Sequence, residues 1–183
     1  MKKELINLEK TERKYLPEFV YGGIDGSVTT FAIVAGAIGA TLSPAVILIL
    51  GFANLFADGF SMAISNYLSV KSQHELMRGK GSSCIEIEAK HPIKAGLATF
   101  FSFLVIGFIP LLSFVLDYFI HSIGNAKFIL SFVLTGFALF FVGLVKGEVV
   151  RKHPIKAAIE TLIIGGIAAI LAFVVGYLLK GLA

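Results

Sequence analysis

The chain has 183 residues, of which 56% are hydrophobic and only 15% charged, with a mean hydropathy of +0.86. That balance excludes an ordinary soluble domain and indicates an all-α membrane protein with several spans. The formal charge of +4 reads as a topology signal and not as nucleic-acid binding, because the basic residues collect between apolar stretches.

Residues 1–15 set Leu5, Ile6 and Leu8 among lysines and glutamates. This predicts a short amphipathic helix on the membrane surface; it is not a signal peptide, since no apolar run with a cleavage site follows the basic residues before the first span. Apolar stretches of about twenty residues cross the hydrocarbon layer, which predicts five spans at 19–41, 45–67, 94–116, 127–146 and 156–179. They form one transmembrane domain, 16–183, with a short loop at 68–93. Fourteen of the sixteen Lys and Arg residues lie before span one, between spans two and three, or around the turn from four to five. Only Lys127 and Lys180 lie on the other side, which places the N-terminus in the cytoplasm. The single Cys84 falls in the cytoplasmic loop and excludes an intrachain disulfide.

One internal echo stands out. KHPIKAGLAT at 90–99 recurs as KHPIKAAIET at 152–161, each at the cytoplasmic mouth of an outward-running span. Convergent use of a proline-led helix start and duplication of a two-helix unit both account for it.

The chemistry concentrates in spans one and two. In the second, Asn54, Asp58, Met62 and Asn66 recur every four residues and share a slowly winding side of the helix. Span one offers Asp25 and Thr29, with Glu18 below them at the membrane entrance. By helical rise Asp25 and Asp58 lie roughly 9 Å and 13 Å inside the cytoplasmic ends of their spans, so the two carboxylates can share a site. Burial favours a neutral carboxyl group and a bound cation favours the ionised one, so metal ions and protons compete for the same oxygens. Met62 would add a soft thioether suited to late first-row divalent ions, although packing is an equal account of it. Asn54 and Asn66 are metal candidates on the same stripe, and interhelical hydrogen bonding is their commoner use. The G-x-x-x-G spacing of Gly22 and Gly26 suggests a dimer face. Asp117, His121 and Asn125 are expected to be solvated in an external loop, and Glu148 and Glu160 to pair with Arg151, Lys152 or Lys156.

YGGIDGSVTTFAIVAGAIGA at 21–40 followed by GFANLFADGFSMAISNYLSVKSQHE at 51–75 resembles the paired first helices of the vacuolar iron transporter family. The shared pattern is a Gly-x-x-Asp-Gly helix and then a Ser-Met-Ala helix ending in Tyr-x-Ser and Ser-Gln. The resemblance implies a five-helix homodimer in the lipid bilayer that exports Fe²⁺, often also Mn²⁺, from the cytosol in exchange for protons, with no permanently bound cofactor. It implies pathway ligands at Asp25 and Met62, and more loosely at Glu18.

Two departures are visible. Residues 68–93 are too few for the family's long glutamate- and methionine-rich cytoplasmic domain. His74, Glu75, Met77, Cys84, Glu86, Glu88 and His91 are left either as a reduced metal-collecting site or as solvated loop charge. Ser65 and Asn66 stand where many members have Gly-Glu, while Asp58 supplies a carboxylate earlier in the helix. With no targeting segment and no long cytoplasmic domain, a prokaryotic cytoplasmic membrane is expected. Two alternatives are an intramembrane aspartyl protease using Asp25 and Asp58, which lacks the expected Gly-x-Gly-Asp setting, and a non-transporting metal-binding scaffold, which leaves the polar stripe unexplained.

Overall fold

The computed structural model describes residues 2–79, 90–120, 124 and 126–182. The described elements are α1 (Lys2–Gly39), α2 (Pro44–Gly79), α3 (Pro92–Gly107), α4 (Ile109–Ile120), α5 (Ala126–Val149), α6 (Pro154–Leu179) and a final 3₁₀ turn, Lys180–Leu182. Four stretches are each long and apolar enough to cross a membrane, and the bent pair α3–α4 makes a fifth. The protein is a multi-pass membrane protein.

Helices α1 and α2 have 38 and 36 residues, about 57 and 54 Å at the helical rise, against a hydrocarbon layer of about 30 Å. A short turn joins Gly39 to Pro44, so the excess length of both emerges together, where α1 begins and α2 ends. The N-terminal stretch expected as a separate surface helix is the first part of α1, which runs unbroken through Pro17.

The expected third span, 94–116, is two helices meeting at 50°. Pro110 has no N–H to offer the preceding turn and its ring crowds that turn's carbonyl, so the helix breaks at Phe108. The buried Ser131 hydroxyl on α5 donates to the Pro110 carbonyl at 2.6 Å, the kind of neighbouring-helix hydroxyl that makes a broken span tolerable in lipid.

Helix α1 is the hub of the bundle, packed most extensively against α3 and α6. Tiny residues permit this. A Cβ on Gly26 would sit 2.5 Å from the Phe103 carbonyl oxygen on α3, and one on Gly176 of α6 would collide with the Gly36 carbonyl. Gly22 likewise lies against Thr99 and Ser102 of α3. The Gly22/Gly26 spacing read as a dimer face is thus an intrachain contact with α3, because the small residues are spent on the nearest neighbouring backbone. An apolar core of Val34, Ile47, Leu55, Met62, Phe103, Leu111 and Phe114 fills the space between α1, α2 and the broken span.

Two helix ends carry strain. After α1 the N–H of Leu42 donates to Ala37 and that of Thr41 to Ile38, with Thr41 at φ 58°. After α5 the N–H of Lys152 donates to Gly147 and that of Arg151 to Glu148, with Arg151 at φ 53°. Both are Schellman ends with a side chain where glycine is the comfortable residue. The loop between α4 and α5 is held by Asp117, which accepts from Lys127 Nζ at 2.6 Å and from the Gly124 N–H at 3.0 Å. Asp117 is therefore paired and largely buried, not solvated; His121 and Asn125 lie outside the described residues.

Gly26→Ala is expected to lower the melting temperature in detergent by several degrees, while Gly166→Ala, where a Cβ meets nothing within 4 Å, leaves it unchanged. Thr41→Gly is expected to stabilise the fold by about 1 kcal/mol. Thermal unfolding of the three purified variants checks all of these.

Candidate functional site

The register of α1 against α2 builds the site. The side-chain amide of Asn54 donates to the hydroxyls of Thr29 at 3.4 Å and Thr30 at 3.5 Å. The two helices run antiparallel, so four residues onward on α2 lie level with four residues back on α1. That puts Asp58 level with Asp25, at one depth instead of the staggered depths counted from the span ends. The Asp58 carboxylate is close enough to act electrostatically on Asp25. Both are half-buried, and among the described residues neither carboxylate has a hydrogen-bond or ion-pair partner. Two carboxylates at one level of adjoining helices, with no cation paired to either, are a costly arrangement inside a bilayer.

On α1 itself Glu18, Asp25 and Thr29 lie within about 20° of one line, since steps of seven and eleven residues nearly complete whole turns. The line runs about 16 Å along the helix from Glu18 to Thr29. At its inner end the Thr29 hydroxyl also donates to the Asp25 main-chain carbonyl at 2.8 Å. At its outer end Glu18 is 7% exposed; its Oε1 accepts from Lys90 Nζ at 2.7 Å, and its Oε2 is buried with no partner.

The remaining expected residues separate. Met62 is buried in the apolar core, so its packing role is plain. Asn66 faces α3, its amide donating to the Thr99 hydroxyl at 2.7 Å and the Ala95 carbonyl at 3.4 Å. Asn54 and Asn66 therefore both join helices, one to α1 and one to α3. On the projecting end of α2, His74 has a buried Nε2 with no partner and Glu75 is exposed. Glu86 and Glu88, with Cys84, lie outside the described residues. Among the described residues no three His, Cys, Asp or Glu side chains come together as a metal cluster. Glu160 pairs with Lys146 at 3.5 Å and not with Arg151, Lys152 or Lys156, because Lys146 on α5 lies across from the first turns of α6.

The sequence profile of the VIT family matches residues 16–83 and 76–177, nearly the whole chain. The chain belongs to the VIT family. Among its relatives, the vacuolar iron transporter of Plasmodium berghei is 28% identical, the match covering 92% of this chain and 84% of that protein. The vacuolar iron transporter of Toxoplasma gondii is 28% identical over 95% and 77%. Vacuolar iron transporter 1 of Arabidopsis thaliana is 24% identical over 89% and 85%. These relatives are named as transporters. All three are eukaryotic, so the expectation of a prokaryotic membrane draws no support from them. The Plasmodium alignment is 228 positions long against 183 residues in this VIT protein, so the relative carries segments that are absent here. The profile match divides at 76–83, where α2 ends, consistent with a shortened connection at that point.

Sequence reasoning missed Lys90, counted only as loop charge, and Tyr15, whose hydroxyl accepts from the His91 N–H at 2.9 Å. Together these two contacts pin the start of α3 to α1. The signal was in the echo. Both copies begin a helix with His as N-cap and Pro in the first turn, and both bury a threonine, Thr99 or Thr161, that donates to the Ala95 or Ala157 carbonyl.

Thr99→Val keeps the shape but removes the acceptor for Asn66. It should cost this VIT protein about 1 to 2 kcal/mol, measurable as a lowered unfolding midpoint in mixed micelles.

Proposed function

We propose that this protein carries a divalent transition metal, iron first and manganese second, out of the cytosol in exchange for protons. The observation that carries this reading is the pair of level, unpaired carboxylates Asp25 and Asp58 on adjoining helices. A divalent ion supplies the charge that both lack, and its departure returns them to protons, so the site alternates between metal-bound and protonated forms. The relatives named above are vacuolar iron transporters, which supports iron as the first substrate.

The line from Glu18 to Asp25 is the inward half of the route. The metal is cargo, held by oxygens from Asp25 and Asp58, with Glu18 as the first carboxylate it meets. Met62 lies one turn from Asp58 and becomes a ligand only by leaving the apolar core, so it belongs to the passage of the ion and not to its resting site. A homodimer with the N-terminus in the cytoplasm fits this reading. The half-buried side of α1 that carries Asp25, flanked by the 60% exposed Tyr21, then faces the second copy. The protease alternative loses ground to relatives that are all named transporters, and no observation favours a scaffold.

The test is uptake of Fe²⁺ and Mn²⁺ into proteoliposomes carrying an internal pH dye. Metal uptake should be matched by proton exit. Acidifying the metal side should slow it, because protons then occupy the loading carboxylates, and acidifying the interior should speed it. Asp25→Asn and Asp58→Asn should each reduce uptake to that of empty liposomes while leaving the elution profile intact. Normal flux in either variant removes that residue from the route.

A further inference from the structure

The second contact of the echo motif is what the transport reading leaves unexplained. Lys90 and Lys152 occupy the same position in KHPIK, but Lys152 is exposed whereas Lys90 reaches the nearly buried Glu18 at 2.7 Å. That pairing satisfies only Oε1. Oε2 is buried and has no partner, although a buried carboxylate oxygen normally finds one. Glu18 is thus an ion-paired carboxylate on the same line of α1 as Asp25, with one oxygen left without a hydrogen-bond partner and able to take a ligand. The cation now holding it is a side chain one-third exposed and able to swing outward on a flexible stem.

We propose that Lys90 is a tethered cation that competes with the transported ion for Glu18. It occupies the carboxylate between transport events, and a metal must displace it before moving on toward Asp25. This rests on the transport reading and adds a specificity step to it. A monovalent ion gains nothing by replacing an ammonium group, which brings the same charge and is held at high effective concentration by its tether. A divalent ion brings twice the charge and can use Oε1 and Oε2 together. Lys90 thereby discriminates against potassium and sodium at the mouth, and its return to Glu18 discourages the metal from going back.

The test measures Mn²⁺ uptake by proteoliposomes and Mn²⁺ binding to the solubilised protein by electron paramagnetic resonance, for wild type and three variants. Lys90→Gln should lower the half-saturating Mn²⁺ concentration about fivefold, the value of a modest ion pair. It should also make uptake inhibitable by K⁺ relative to N-methyl-D-glucamine at equal ionic strength. Lys90→Arg keeps the charge, engages both carboxylate oxygens through its fork and should raise the half-saturating concentration. Glu18→Gln with Lys90→Gln should lose the gain of the single change. A half-saturating concentration unchanged in both Lys90 variants would overturn the proposal, leaving the ion pair as a structural tie, even where maximal rates or yields differ. Should Lys90→Gln fail to fold, Lys90→Arg decides alone. Wild-type protein that binds Mn²⁺ with the expected order of variants but moves none would refute transport and leave the competition standing; flux without that order would refute the role of Lys90 only.

Discussion

Backbone contact between α1 and its neighbours is the constraint on which the rest of the molecule depends. In lipid there is no hydrophobic force to drive one apolar helix onto another, so association rests on close packing and interhelical hydrogen bonds. At Gly26 and Gly176 the facing backbone atoms leave no room for a methyl group. With α3 and α6 held this closely, α1 has little freedom to rotate, and the direction in which Asp25 points is fixed by residues that never touch it.

From that fixed helix the site follows by register. One hydrogen-bonded group, Asn54 with Thr29 and Thr30, sets the level of α2 and brings Asp58 opposite Asp25. The polar stripe on α2 then divides its labour. Asn54 and Asn66 spend their amides on α1 and α3, Met62 joins the core, and Asp58 alone keeps its charge uncommitted. Interhelical amide bonds in a membrane are worth on the order of 1 kcal/mol each, enough to choose a register among packed alternatives. An unpaired carboxylate in a membrane costs more than such a bond returns, which is why the proposed function gives Asp25 and Asp58 a cation or protons.

Much of this was legible in the sequence because a membrane imposes simple rules. Apolar length gave the spans, and the four-residue period gave the stripe from Asn54 to Asn66. What was not legible was partner choice. A small-xxx-small pair such as Gly22 and Gly26 indicates that something comes close, yet only the tertiary structure says that it is α3. Depths counted from span ends placed Asp25 and Asp58 unevenly because apolar runs do not mark where an antiparallel neighbour is pinned. The break at Phe108 was foreshadowed by Pro110, which a hydropathy window averages away. Lys90 reads as a topology signal because a basic residue beside a span usually is one, and nothing local to residues 90–99 points to an acid more than seventy positions earlier.

The two copies of KHPIK make that last point into a physical argument. Both start a helix in the same way, with an extended histidine, a proline in the first turn and a buried threonine bonding back one turn. If the lysine served only to mark the cytoplasmic side, both copies would leave it in solvent, and Lys152 does remain there. Lys90 differs because α3 packs beside the mouth of α1, where Glu18 is buried. The tie between the His91 N–H and the Tyr15 hydroxyl joins the same two helices one residue along, so the ion pair is not the only contact at the start of α3. Lys90 thus adds to the docking of α3, and under the proposal above its charge also serves the carboxylate it covers.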